Sequence, residues 1–329
     1  MMKHKKLNAV MATLSLLSIL TGCGTSSSIN TPHTSSTVHV AYAGSLELLN
    51  NQFLGPAFEK SYHVHYQGQG GGSYGIAHEI VAGSIPANVF ESIGYGPVKV
   101  LEPAKTSWAI AIASSPLVVA YNPHSRFAPE LNQIRRGQKP LKDLFQLMAQ
   151  NGFKLGRTNP NTDPQGQAFV MAIELAQKTY HLSPDIVSRI LGPINTGGEI
   201  YTEEGILSLL QSGGLDASSA FLSEAVQRHL DYIMLPPTLN LSDPALASWY
   251  HSVHVTLSNG TVVYGTPLTI DVTTVGKPAN PNAIQFVRFL LSKSGRSIFQ
   301  HEGYHLFSPY VMGKSTALPQ ALRQELNHA

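Results

Sequence analysis

The chain has 329 residues, 43% of them hydrophobic and only 13% charged, with a formal net charge of +2. That is enough for one large or two ordinary domains with proper cores. Without the leader lysines Lys3, Lys5 and Lys6 the formal charge becomes −1, so the charge balance gives no footing for a nucleic-acid partner.

Basic residues Lys3 to Lys6 precede an apolar run from Ala9 to Leu20, too short for an ordinary membrane span. The run ends in Leu20-Thr21-Gly22-Cys23, which resembles a bacterial lipobox. It implies a signal peptide over 1–22, cleavage before Cys23 and lipidation of that thiol. Cys23 is the single cysteine, so no internal disulfide can form. Residues 24–37 have no hydrophobic periodicity and read as a flexible tether reaching about 20 Å. The expected location is the outer face of the cytoplasmic membrane, held there by lipid.

The mature chain opens with Val38 to Glu59, a short apolar strand, then Ala43-Gly44-Ser45, then helical spacing through Leu46, Leu49, Phe53 and Phe58. Gly44 permits a sharp turn and Ser45 suits an N-cap, which would gather free N–H groups beside a hydroxyl. Such a turn can seat an anion, and it can equally be a plain cap. His63 to Tyr66 reads as a strand running into the glycine-rich loop Gln67 to Ser73. There Gly70-Gly71-Gly72-Ser73 repeats the same logic before a helix with Ile76, Ile80 and Val81. The stretch lacks the lysine and spacing of a P-loop. Further strands are expected over Ala87 to Ser92, Trp108 to Ala113 and Pro116 to Tyr121, with a helical turn from Pro97 to Leu101. The alternation predicts an α/β protein with a largely parallel sheet.

Leu141 to Gln150 reads as helix and Lys154 to Arg157 as strand. The loop Thr158 to Gly166 then delivers backbone to a strong helix ending at Tyr180. Ile200 to Leu210 opens another helix, with Glu203 and Glu204 in its first turn, where the helix dipole alone would favour them. Ala217 to Phe221 and Ile233 to Leu235 are strand candidates, with a helix at Glu224 to His229 between them. A hairpin follows about Ser258-Asn259-Gly260, then a strand at Leu268 to Thr273 and an amphipathic helix at Pro281 to Ser294. The remainder is mixed and ends in a polar helix.

Eight stretches coincide, in order, with one family: AGSL (43–46), GGS (71–73), ANVFES (87–92), GRTNPNTDPQG (156–166), LSLLQSGGLD (207–216), LPPTLNLSDP (235–244), GTPLTI (265–270) and PNAIQFVRFLLS (281–292). The chain resembles the solute-binding proteins of molybdate and tungstate ABC transporters, in their archaeal-type branch. The resemblance implies a two-lobed periplasmic-binding-protein fold of type II with its ligand cleft between the lobes. Lobe one would comprise 38–116 and 268–329, and lobe two 117–267. It also implies no turnover, no cofactor, a monomer, and delivery to a membrane permease with its ATPase.

Carried over residue by residue, the resemblance makes Ser45 and Ser73, beside Gly44 and Gly72, donors from lobe one. Gly166, beside Gln165, would offer amides from lobe two. Asp163 and Glu203 fall where this branch sets acidic residues against the metal of the anion. A carboxylate facing a dianion is costly. Sulfur and phosphorus cannot readily accept further oxygens to offset that cost, whereas molybdenum and tungsten expand from four to six. The same two residues also read as an Asp-Pro turn and a helix-dipole partner, and Glu204 could take the place of Glu203. Several positions depart from the family: Asn88 and Gly94 stand for acidic residues, Gln165 for a cysteine, and Phe221 and Ile270 for tyrosines. Another oxyanion or a small organic anion is therefore the alternative cargo. A serine hydrolase built on Ser45 or Ser73 lacks the Gly-x-Ser-x-Gly elbow around either residue.

Overall fold

The structure, a computed structural model, describes residues 37–195 and 200–326, and of Glu203 and Glu204 only the backbone. The leader, Cys23 and residues 24–36 lie outside the described residues.

Among the described residues, eleven strands form two main sheets and two more form a separate hairpin. In chain order the strands are β1 (Thr37–Ala43), β2 (His65–Gly71), β3 (Val89–Ile93), β4 (Trp108–Ser114), β5 (Leu117–Tyr121), β6 (Leu155–Thr158) and β7 (Ile200–Tyr201). They continue as β8 (Ala217–Phe221), β9 (Asp231–Met234), β10 (His254–Thr256), β11 (Val262–Tyr264), β12 (Thr269–Thr274) and β13 (His305–Gly313). The first sheet has the order β13-β4-β12-β3-β1-β2 and the second β7-β6-β8-β5-β9, while β10 and β11 pair with each other. The chain passes from β4 to β5, hence from one sheet to the other, through Ser115 and Pro116, and re-enters the first sheet at β12.

That crossing corrects the expectation of a largely parallel sheet. β1 is parallel to β2 and β3, and β6 to β7 and β8, through helical connections. β12 is antiparallel to β3 and β4, β13 to β4, and β5 to β8 and β9. A parallel neighbour needs a crossover of a dozen residues or so, and a strand returning straight from the other sheet has none.

β3, β4, β5 and β12 are buried at every position, which is why β4 and β5 read as apolar runs in the sequence. The Pro281–Leu291 helix buries Phe286, Val287 and Leu290 against the first sheet. There Phe286 meets Phe58 edge to face at 5.0 Å, worth about 1 kcal/mol beyond its area. The Pro164–Tyr180 helix packs on β5, β6 and β8 and is buried from Pro164 through Ile173.

Two elements differ from expectation. β2 extends through the glycines to Gly71, in parallel register with β1 from Thr37↔His65 to Ala43↔Gly71. The glycines belong there because the Tyr42 ring lies over them: a Cβ at Gly68 or Gly70 would come within 2.8 or 2.7 Å of it. β13 has no counterpart among the expected strands. Pro309 interrupts its pattern, which an edge strand with a register shift between Leu306 and Tyr310 tolerates.

Candidate functional site

β1 ends in a single 3-10 turn, Gly44–Leu46, whose three residues are all buried. The N-cap position belongs to Ala43, so Ser45 does not cap. Its Oγ is buried without a hydrogen-bond partner, while its carbonyl accepts from the Tyr304 hydroxyl at 3.4 Å. An unpaired buried hydroxyl costs about 1–3 kcal/mol, so its retention points to a role other than local folding.

Ser73 is displaced from its expected cap in the same way. Gly72 is the N-cap, and Ser73 opens the Ser73–Ala82 helix. The Ser73 hydroxyl accepts from the amide of Ile93 at 3.3 Å, pinning the helix start to the end of β3. The next two amides, of Tyr74 and Gly75, both donate to the carbonyl of Thr162 at 3.1 and 3.4 Å. Those first-turn donors were expected to face an anion; here a loop of the second sheet takes them.

That loop carries Asp163, which caps the Pro164–Tyr180 helix through a 2.9 Å bond from the Gln165 amide to Oδ1 and is only 6% exposed. A Cβ on Gly72 would sit 2.7 Å from the Thr162 carbonyl oxygen and 3.5 Å from the Asp163 Cβ. Gly72 is therefore a close-approach glycine between the two sheets. Gly166 serves its own loop, since a Cβ there would be 2.5 Å from the Thr158 oxygen. Beside it, the buried Gln165 side chain accepts from Ser219 at 2.9 Å and donates to Glu224 at 3.0 Å; Glu224 also accepts from the Phe221 amide at 2.7 Å.

Glu203 begins the Glu203–Ser212 helix, capped by Thr202, whose hydroxyl accepts from the Gly205 amide at 3.1 Å. Its side chain lies outside the described residues, but the helix packs against the Ser45 turn. The Gly72-Ser73 turn thus meets the Asp163 loop, and the Glu203–Ser212 helix packs on the Ser45 turn. A cavity of about 610 Å³ opens nearby, lined by Tyr74, Tyr95 and Tyr310 and by Pro164 of the Pro164–Tyr180 helix; Ser45, Ser73 and Asp163 do not line it.

Three contributors were missed in the sequence. Tyr304 is 4% exposed and sits on the Ser45 carbonyl. Ser115, at the crossing, donates to Ser223 Oγ and accepts from the Ser223 amide, both at 3.0 Å. Glu91 is fully buried in β3, and burial pushes its carboxyl up to about 7 against the opposing bond from Asn50. Only Glu91 had a visible signal, as the one acid inside the apolar ANVFES stretch. Neither Ser45 nor Ser73 is hydrogen-bonded to an imidazole.

The profile of the bacterial extracellular solute-binding protein family matches residues 38–305. The chain belongs to that family. Among curated relatives, the molybdate/tungstate-binding protein WtpA of Thermococcus kodakarensis is 28% identical over 93% of this chain and 93% of its own length. WtpA of Pyrococcus abyssi is 25% identical over 93% and 95%. The periplasmic molybdate-binding protein of Azotobacter vinelandii superposes on 82% of this chain and 99% of its own with a TM-score of 0.55 at 17% identity, a likeness of fold. The fold is accordingly the two-lobed one of periplasmic binding proteins, with a sheet in each lobe.

Proposed function

We propose that this solute-binding protein captures tungstate or molybdate in the cleft and delivers it to a membrane permease and its ATPase. The observation carrying this reading is Asp163, a buried residue whose Cβ lies against Gly72 of the opposite lobe while its carboxylate caps the Pro164–Tyr180 helix. A carboxylate so placed repels sulfate or phosphate, but becomes a fifth or sixth oxygen ligand to molybdenum or tungsten, which favour hard oxygen donors. The near full-length similarity to two molybdate/tungstate-binding proteins supports the same cargo. Ser45 Oγ, buried and unpaired, is the donor in waiting from lobe one, with Ser73 beside it and Glu203 as the second carboxylate.

Lobe one is taken as 38–116 with 268–329 and lobe two as 117–267, closing about the Ser115 crossing. The first test is thermal unfolding with a panel of oxyanions. Tungstate and molybdate raise the midpoint and equimolar sulfate leaves it unchanged; an equal rise with sulfate removes the carboxylate argument. Lipid anchoring at Cys23 is part of the proposal, and Cys23→Ser then moves the protein from the membrane fraction to the soluble fraction. Persistent membrane attachment would sink the anchoring claim alone.

A further inference from the structure

Beneath the Ser45 turn lies a polar cluster that local folding does not need. Asn50 Nδ2 donates both to the carbonyl of Leu46, the last residue of the turn, at 3.2 Å, and to Glu91 Oε2 at 3.0 Å. Its Oδ1 accepts from the Tyr66 hydroxyl at 3.1 Å. Asn50 can serve both sides because Leu49–Leu54 is π-helical, a local widening that recurs at functional sites. Glu91 Oε1 is buried with no partner, so the acid is held by one neutral donor. The buried carboxylate is thus linked, through the Asn50 side chain and the Leu46 carbonyl, to the turn that carries the unpaired Ser45 hydroxyl.

We propose that capture of a dianion at the Ser45 turn drives a proton onto Glu91, so that the protein binds its oxyanion more tightly as the medium becomes more acid. This inference rests on the site proposed above. A dianion and a carboxylate separated by one turn of backbone repel strongly where water is excluded, and no cation intervenes. The titratable groups facing Glu91 are Tyr42 across the strand pair on β1, Tyr66 on β2, and Tyr304 after the last buried helix. Burial raises the phenols of Tyr66 and Tyr304, which keeps them neutral in this range. From the second lobe Glu224 also acts on Tyr304 and adds only further negative charge. Among the described residues no lysine, arginine or histidine pairs with Glu91. Val272 is its β12 neighbour.

The sign follows from linkage. Burial raises the Glu91 carboxyl to about 7, and the bound anion raises it further, so binding takes up a proton and weakens as pH rises above 7. Asp271, also raised to about 7, faces away from the Ser45 turn: it pairs with Ser92, and β-strand neighbours point to opposite faces. It serves as the control.

The test is calorimetric titration of the mature chain with sodium tungstate at pH 7 and 8, each in two buffers of different ionisation enthalpy. Uptake of about half a proton per anion at pH 7 and nearly one at pH 8 is expected, with affinity falling up to about tenfold per pH unit. Glu91→Gln removes the uptake and flattens the affinity profile, while Asp271→Asn keeps both. Tungstate binding without proton uptake in the unmodified protein overturns the proposal even if neither variant folds. Uptake surviving in Glu91→Gln, or vanishing in Asp271→Asn, overturns it too. Absence of tungstate binding at every pH instead removes the site reading itself, and this inference with it.

Discussion

The amide of Tyr74 donates to the carbonyl of Thr162 at 3.1 Å, joining the first turn of a lobe-one helix to the loop that carries Asp163. This bond and its neighbour from Gly75 place the two lobes in contact through backbone alone. The contact asks for no particular side chain, only room for the carbonyl. That room is Gly72.

Gly72→Val is therefore expected to hold the lobes apart. The new Cβ meets backbone oxygen at 2.7 Å, which cannot swing away. Tungstate affinity should drop by about five- to a hundredfold, since a clash of about 1–3 kcal/mol falls on the closed form alone. Small-angle scattering should show a larger radius of gyration in the variant with saturating tungstate. Equal radii and equal affinities would mean that the contact is not part of closure.

Asp163 has two duties that one substitution separates. Asp163→Asn keeps an amide oxygen able to cap the Pro164–Tyr180 helix, because asparagine caps as well as aspartate. Its unfolding midpoint without ligand should stay near the parent value while the rise with tungstate is lost. Asp163→Ala should lose that rise and about 1 kcal/mol of stability as well. Full tungstate stabilisation in the asparagine variant would show that the carboxylate is not a ligand.

Ser45→Ala removes a buried hydroxyl that has no partner. A residue kept for folding would cost stability on removal; this one should be neutral or stabilising by up to about 1 kcal/mol. Tungstate binding should nevertheless weaken about ten- to a hundredfold, the worth of a hydrogen bond to a charged group. Denaturant melts and titrations on one preparation decide it, and a variant that is less stable yet binds normally contradicts the assignment.

Glu91 and Asp271 also make stability depend on pH. Burial raises both to about 7 in the fold, above the ordinary carboxylate range of the unfolded chain. The folded state thus holds protons that the unfolded state has released. The stability they contribute is fully present in acid, below the ordinary carboxylate value, and is lost as pH rises through about 7. The unliganded protein should melt at lower temperature at pH 8 than at pH 5.5, and Glu91→Gln should reduce that difference. A higher midpoint at pH 8 in the parent, unchanged by the substitution, would contradict this.

The junctions that carry the candidate site were legible because strand gives way to helix there, and glycine, serine and aspartate mark such junctions locally. Asp163 took the cap that its Asp-Pro context suggested. Ser45 and Ser73 did not, because the caps fell on Ala43 and Gly72, and which residue leaves the strand is set by pairing partners far along the chain. The strand through Gln67 to Gly71 was hidden for a related reason: its glycines accommodate Tyr42, a neighbour across the sheet rather than along the sequence. Tyr304 lies 259 positions from the carbonyl it meets, and no spacing rule reaches that far. The antiparallel strands were misread because hydrophobic runs report burial and carry no direction.

Pro309 on the outermost strand of the first sheet has a consequence beyond this single chain. An edge strand ordinarily offers a row of amides on which another copy can build. In β13 that row is broken by a residue without an N–H and by the shift between Leu306 and Tyr310. A second copy meeting this margin finds no unbroken row of amides on which to extend the first sheet.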